Sequence, residues 1–222
     1  MEDRHDLRHR IHNGRDRRRR GLLPLFLTDM QRRIFIIHGW DATPSTDWFP
    51  WLKEQLEAYD LEVHVPAMPD PSHPVIDTWV GVLAAAVGEL RDTDIFVGHS
   101  VGCQTILRYL ETQAGNDIHV PVICVAGWFT LNGLDTEEEK QIARPWLETS
   151  IDFDAIKDMC EPLDVILSDD DPYVALSEHK RLFEDLLGGF VFVQHNMGHF
   201  SIDHGGVREL PIVRDIIVEL IK

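Results

Sequence analysis

From Arg33 onward, short apolar runs alternate with segments of helical periodicity. Six runs are strand candidates, at 34–37, 61–65, 95–97, 120–125, 164–167 and 190–193. The runs are apolar throughout, which is typical of strands buried on both faces, and parallel neighbours require intervening helices. The sequence therefore predicts an α/β fold: a three-layer α/β/α sandwich around a mostly parallel sheet of six strands.

The segments between the strand candidates carry apolar residues three and four positions apart. The first of them places Trp48, Leu52, Leu56 and Tyr59 on one helical face. In a parallel sheet of this kind, ligands bind outside the carboxyl ends of the strands. The residues that directly follow each strand are therefore the candidates for chemistry.

The sequence Gly98-His99-Ser100-Val101-Gly102 follows the third strand candidate and precedes a helical run. This Gly-x-Ser-x-Gly pattern between a strand and a helix is typical of a nucleophile elbow, the tight turn that exposes a catalytic serine. Gly98 and Gly102 supply the space that such a turn needs. The alternative is that Ser100 only caps the following helix.

A catalytic serine needs a base, and the base needs an acid that fixes its tautomer. The elbow fold predicts the chain order serine, acid, histidine. The fifth strand candidate is followed by the acids of 169–171, and the sixth is followed by His195 and His199. His199, flanked by glycine and phenylalanine, is the favoured base over His195 and His204. Two of the three aspartates are expected to accept only backbone amides of a turn.

An oxyanion hole needs two backbone amides that point at the developing negative charge. One candidate is the N–H of Val101, directly after the serine. The second is the N–H of Trp40, in the loop after the first strand candidate. The His38-Gly39 pair in that loop could also be only a tight turn between a strand and a helix.

The charge is distributed unevenly along the chain. Residues 1–33 hold 10 of the 21 Lys and Arg but 5 of the 38 Asp and Glu, so the remainder is strongly acidic. An acidic domain repels nucleic acid and anionic lipid, and no apolar run reaches the length of a membrane span. We therefore expect neither nucleic acid nor a membrane as a partner of that domain; a protein partner stays open.

The basic residues 1–29 are predicted to be a disordered N-terminal extension, followed by one domain at 30–222. An apolar stretch at 22–27 follows the arginines, but Pro24 interrupts it and it is too short for a signal peptide. The open alternatives are a misread start codon upstream of Met30 and a basic tail that binds RNA or a partner.

The three cysteines, Cys103, Cys124 and Cys160, have neither the spacing nor the histidine partners of a zinc or dithiol site. We expect no metal and no cofactor, and a reducing, cytoplasmic location. In the connection between the fourth and fifth strand candidates, the aromatic residues are candidates for an apolar pocket wall, although each could be plain core: Trp128, Phe129, Trp146 and Phe153.

With these motifs in place, the chain resembles the α/β-hydrolase superfamily, and within it the small serine hydrolases of the YdeN and retinoblastoma-binding type. The resemblance runs from about Arg33 to the C-terminus and covers the motifs Gly98-His99-Ser100-x-Gly102, Met68-Pro69-Asp70-Pro71, Arg144-Pro145-Trp146, Asp170-Asp171-Pro172-Tyr173 and Gly198-His199-Phe200. It implies a minimal α/β-hydrolase fold with sheet order 2-1-3-4-5-6. It also implies a catalytic triad of Ser100, Asp171 and His199.

The hypothesis from these features is a serine hydrolase that cleaves a small ester, thioester or amide. Ser100 would form an acyl-enzyme, and a small acyl compound would be its substrate. The alternative is a protein-interaction module that keeps the hydrolase scaffold without significant catalysis. Hydrolysis of an activated ester, compared with a Ser100→Ala variant, distinguishes the two.

Overall fold

The computed structural model describes residues 31–222. The predicted extension at 1–29 lies outside the described residues. Strands and helices alternate along the described part of the chain, in the order β1 (Arg33–Ile37), α1 (Phe49–Glu57), β2 (Glu62–His64), α2 (Ile76–Val87), β3 (Ile95–His99), α3 (Val101–Thr112), β4 (Val120–Val125), α4 (Glu137–Glu148), α5 (Phe153–Ile156), β5 (Cys160–Ser168), α6 (Leu176–Leu187), β6 (Phe190–Gln194) and α7 (Pro211–Leu220).

The six strands form one sheet in the order β2-β1-β3-β4-β5-β6, and every neighbouring pair is parallel. The predicted fold class and the predicted strand order are confirmed. Because all strands run the same way, their carboxyl ends meet at one edge of the sheet. None of the helices within 31–222 is long and apolar enough to cross a membrane.

Alternate residues of the buried strands enter two separate cores, one on each face of the sheet. In β1, Phe35 and Ile37 belong to the core that includes residues of α2, α3 and α6, whereas Ile34 and Ile36 belong to the core that includes residues of α1 and α7. Each of these four side chains is fully buried. This explains why the run is apolar at every position: both faces of the strand are covered.

Most of the predicted elements differ from the structure by one or more residues at their ends, and two of the differences are informative. The strand β5 begins at Cys160, four residues before the predicted start. The sequence pattern misses these residues because Glu161 and Pro162 interrupt the apolar run. The helix α1 ends at Glu57, so Tyr59 is not on its buried face; Tyr59 is 50% exposed. The backbone turns after α1, where Asp60 adopts a positive φ of 61°.

A buried ion pair joins the start of the sheet to the turn before β3. The Arg33 guanidinium donates to both carboxylate oxygens of Asp94, at 2.8 and 2.7 Å. It also donates to the carbonyl oxygens of Val87 and Glu89, each at 2.9 Å. The charges are therefore both paired and hydrogen-bonded, which a buried pair requires.

Candidate active site

Ser100 occupies the sharp turn between β3 and α3. Its φ and ψ are 54° and −121°, a conformation that residues with a side chain rarely adopt. The Ser100 N–H donates to the carbonyl oxygen of Val125 at the end of β4, at 2.9 Å. This bond anchors the strained turn to the neighbouring strand, and the side chain stands at the carboxyl edge of the sheet.

The two glycines of the motif are required by close backbone contacts. A Cβ atom at Gly98 would lie 2.7 Å from the Cα and the N of Cys103. A Cβ atom at Gly102 would lie 2.3 Å from the carbonyl oxygen of Ile37. The backbone of α3 therefore approaches β1 and β3 too closely for any side chain at these positions.

His199 lies in the loop after β6 and is paired with an acid from the loop after β5. Its Nδ1–H donates to Oδ2 of Asp171 at 2.8 Å, and the Asp171 side chain is 1% exposed. The other oxygen of Asp171 accepts the backbone N–H groups of Tyr173 and Val174, at 2.9 and 3.1 Å. A carboxylate only accepts, so Nδ1 carries the proton and Nε2 is left as the basic nitrogen.

The other two aspartates of the run have different partners. Asp169 lies 2.5 Å from Nδ1 of His195, whose side chain is largely exposed, and this hydrogen bond lowers the pKa of Asp169. Asp170 accepts from the Ser168 hydroxyl at 2.6 Å and from the Gly198 N–H at 2.8 Å, and the first of these bonds is the main reason its pKa is lowered. Both connect the loops after β5 and β6, and only Asp171 reaches His199.

The histidine loop is tied to the elbow by His99, the residue before Ser100. The His99 Nε2–H donates to the carbonyl oxygen of His199 at 2.8 Å, and the two rings lie 5.2 Å apart. Burial lowers the pKa of His99 to about 3, so the ring is neutral at physiological pH. His99 therefore ties the loop that carries His199 to the turn that carries Ser100. No sequence motif assigns a role to His99, although its position next to the serine was a signal.

The loop after β1 lies directly against Ser100. A Cβ atom at Gly39 would be 3.3 Å from the Cβ of Ser100 and 2.9 Å from Nδ1 of His99. Glycine at position 39 therefore allows the loop after β1 to lie this close to His99 and Ser100. The contact brings the residue before Trp40 next to Ser100, and Val101, whose N–H is the other candidate donor, is the first residue of α3.

A second histidine holds this loop in place. The N–H of Met68 donates to Nε2 of His38 at 3.0 Å, and Nδ1–H of His38 donates to the Gly39 carbonyl at 2.9 Å. The Asp41 N–H donates to the Pro71 carbonyl at 2.9 Å. The family motif at 68–71 thus forms a support for the loop after β1, a role that no local pattern in the sequence indicates.

Trp128 lies three residues after the end of β4 and is 2% exposed. Its indole N–H donates to Oγ of Ser100 at 3.2 Å, and its carbonyl oxygen accepts from the Gln104 side chain at 3.1 Å. From the sequence, Trp128 is a candidate for an apolar pocket wall or for plain core. Its position at the carboxyl end of a strand was the signal that it belongs to the site.

Metal-binding groups form no cluster in the described part of the chain. Among residues 31–222, no three His, Cys, Asp or Glu side chains gather where they could hold a metal ion.

A family model described as "Serine hydrolase" matches residues 34–218. YdeN of Bacillus subtilis (strain 168) is 33% identical over 188 residues, which cover 85% of this chain and 95% of YdeN. The serine hydrolase RBBP9 of Rattus norvegicus is 23% identical over 165 residues, 74% of this chain and 83% of that protein. The crystal structure of the B. subtilis YdeN gene product superimposes with a TM-score of 0.73, at 29% identity, over 85% of this chain and 98% of that one.

Proposed function

The chain belongs to the serine hydrolase family, and from this membership we propose that it cleaves a small carboxylic ester, thioester or amide through an acyl-enzyme on Ser100. The observation that carries the proposal is the hydrogen bond of 2.8 Å between His199 and Asp171, on a loop that His99 ties to the Ser100 turn. This arrangement supplies a base with a fixed tautomer close to a strained serine.

In the first half of the reaction, Nε2 of His199 takes the proton of the Ser100 hydroxyl while Oγ attacks the carbonyl carbon of the substrate. The negative charge that develops on the carbonyl oxygen is stabilised by the N–H groups of Val101 and Trp40. Collapse of the tetrahedral intermediate breaks the bond to the leaving group. The leaving group takes the proton from His199, and the acyl group stays on Ser100.

In the second half, water replaces the leaving group. His199 takes a proton from the water as its oxygen attacks the acyl carbon, and the second collapse returns that proton to Ser100 Oγ. The products are a carboxylic acid and the free enzyme. Asp171, buried and held by two backbone amides, stabilises the charged imidazole in both halves.

Two features of the described chain support a small substrate. Ser100 is only 7% exposed, and the Trp128 indole, itself 2% exposed, contacts its hydroxyl. Little room is therefore left around the nucleophile.

The three cysteines are buried and form no disulfide, which agrees with the cytoplasmic location predicted from the sequence.

Labelling by a fluorophosphonate probe tests the proposal, because only a base-activated serine reacts with it at a useful rate. We expect labelling at Ser100 and hydrolysis of p-nitrophenyl acetate, and loss of both in Ser100→Ala. Ser177→Ala, at an exposed position in the first turn of α6, is the matched control and keeps both. Equal ester hydrolysis by the wild type and Ser100→Ala would instead favour the non-catalytic interaction module.

A further inference from the structure

A cavity of about 150 Å³ lies along α3, away from the nucleophile. Gln104 and Arg108 follow Ser100 at intervals of four residues, so they extend the same face of the helix by two turns. Three of the aromatic residues proposed as pocket walls from the sequence line this cavity. Its lining includes Phe129, Trp146, Ile151 and Phe153, together with the polar side chains of Gln104 and Arg108.

Arg108 brings a buried positive charge to this cavity. The residue is 4% exposed, and its Nη2 donates to the carbonyl oxygens of Trp146 and Thr149, at 3.1 and 2.7 Å. Nε and Nη2 also donate to Oε1 of Gln104, at 3.3 and 3.0 Å. All of these acceptors are neutral. Within residues 31–222, Arg108 forms no ion pair with a carboxylate.

The charge of Arg108 is costly where it lies. Burial lowers the pKa of Arg108, an effect that Glu111 opposes only in part. The Glu111 carboxylate itself accepts the backbone N–H of Asp152 at 2.8 Å. A guanidinium does not lose its proton in proteins, so the buried cation keeps its need for a negative partner.

One nitrogen of Arg108 has hydrogen-bonding capacity left. Among residues 31–222, Nη1 donates only to the carbonyl oxygen of Ser150, at 3.5 Å, whereas Nε and Nη2 are occupied by Gln104 and the end of α4. A ligand can therefore receive one or two N–H groups from Nη1. That suits a carboxylate of single charge better than a phosphate, which needs more donors and more positive charge.

The residues that line the cavity indicate the size and chemical character of the part of the ligand beyond its carboxylate. Phe129 and Phe153 pack edge to face with ring centroids 5.1 Å apart, and Trp146 lies under the Arg108 guanidinium at 5.9 Å. The cavity is half open and its lining is more apolar than polar, so its volume of about 150 Å³ has room for a molecule with a single ring. We propose that this cavity binds a small monocarboxylate with a single ring, whose carboxylate pairs with Arg108 and whose ring packs against Phe129 and Phe153.

This site does not depend on the proposed hydrolase chemistry, because Gln104 and Trp128 lie between the cavity and Ser100. Binding can therefore be measured in the Ser100→Ala protein, with thermal shift and tryptophan fluorescence, since Trp146 lines the cavity. The probes are sodium benzoate, the neutral benzamide and inorganic phosphate at matched ionic strength. We expect benzoate to raise Tm saturably and to bind at least tenfold more tightly than benzamide, and phosphate to have no effect.

Variants test the location. Ile151→Trp fills the cavity and leaves the hydrogen bonds of Arg108 in place, and Arg108→Gln removes the charge; each is expected to weaken benzoate binding at least tenfold. Arg144→Gln is the matched control, because Arg144 is exposed and pairs with Glu148 at 2.9 Å on the surface of α4. If Arg108→Gln does not fold, the affinity of Ile151→Trp for benzoate decides whether the ligand binds in this cavity. Equal affinities for benzoate and benzamide, or unchanged benzoate binding in Ile151→Trp, would overturn the proposal.

Discussion

The indole N–H of Trp128 donates a hydrogen bond to Oγ of Ser100 at 3.2 Å. A serine hydroxyl has one proton to donate and two lone pairs that accept. Trp128 occupies one lone pair, which leaves the proton of Ser100 available for His199. The tryptophan thus restricts the rotation of the side chain on which the proposed mechanism depends.

Trp128→Phe is expected to reduce kcat/KM for an activated ester, and the rate of fluorophosphonate labelling, by roughly threefold to tenfold. This is the size expected for one neutral hydrogen bond, about 0.5–1.5 kcal/mol. Trp146→Phe is the control: its buried indole N–H also donates to one backbone carbonyl, that of Pro74 at 2.8 Å, from a position in α4. Equal losses in both variants would show that Trp128 contributes only to general packing.

Gly102 and Gly81 offer a matched pair of substitutions by alanine. In Gly102→Ala the new Cβ would lie 2.3 Å from the Ile37 carbonyl oxygen, whereas nothing lies within 4 Å of a Cβ at Gly81. We expect Gly102→Ala to lose about 3 kcal/mol of unfolding free energy in urea, as overpacked sites do. Gly81→Ala, in the interior of α2, should gain up to about 1 kcal/mol. A stable Gly102→Ala protein with normal labelling would contradict the elbow geometry.

The sequence predicted the sheet because apolar runs report directly on burial at both faces of a strand. The order of the strands followed from the family resemblance. Neither the sequence patterns nor the resemblance indicated that Trp128, His38 and His99 form the hydrogen bonds that hold the site together. Their contacts join positions far apart in the chain, such as His99 with the carbonyl of His199. Local sequence patterns indicate whether a segment is a strand or a helix. The partners of these long-range hydrogen bonds depend instead on which loops the folded sheet brings together.

His99 is expected to make the protein sensitive to acid. Its pKa is about 3 in the fold, well below the ordinary value of 6.5, because the ring is buried. Between these values the unfolded chain binds a proton that the native state does not. The unfolding free energy contributed by this residue therefore falls as pH drops from about 6.5 towards 3, by at most about 1.4 kcal/mol per pH unit.

The measurement is the unfolding free energy in urea at several pH values between 7 and 4, for the wild type and for His99→Gln. The variant should be less stable at pH 7, since its side chain replaces a well-packed ring, but its stability should decrease less steeply with falling pH. The carboxylates that titrate in this range are common to both proteins and cancel in the comparison. Parallel curves would mean that His99 is protonated in the fold as readily as in the unfolded chain.

A chain that begins at Met30 is expected to keep the Tm and the esterase rate of the full-length protein. The serine hydrolase match starts at residue 34, and the sequence of 1–29 offers no periodic apolar face that could pack on the domain. Differential scanning calorimetry and the p-nitrophenyl acetate assay measure both quantities. A loss of several degrees in Tm would show that the basic segment stabilises the domain.

The three consecutive aspartates should respond differently to asparagine. Asp169 pairs with an exposed histidine, and Asp170 uses a single oxygen, Oδ1, that asparagine retains. Each of these two substitutions should therefore cost about 1 kcal/mol or less in unfolding free energy and leave the rate within about threefold.

Asp171→Asn should instead reduce kcat on the order of 10⁴-fold with little loss of stability. The retained Oδ1 still accepts the N–H groups of Tyr173 and Val174, so the amide nitrogen takes the place of Oδ2 and faces Nδ1 of His199. An amide N–H is a donor, and it forces Nδ1 to accept. The proton of the ring then moves to Nε2, where it prevents His199 from taking the proton of Ser100. The three variants, assayed with one activated ester and checked for folding by circular dichroism, isolate this tautomer effect. A collapse of the rate in Asp170→Asn, with Asp171→Asn within threefold of the wild type, would show that the acid of the triad is Asp170 and that its assignment to Asp171 is wrong.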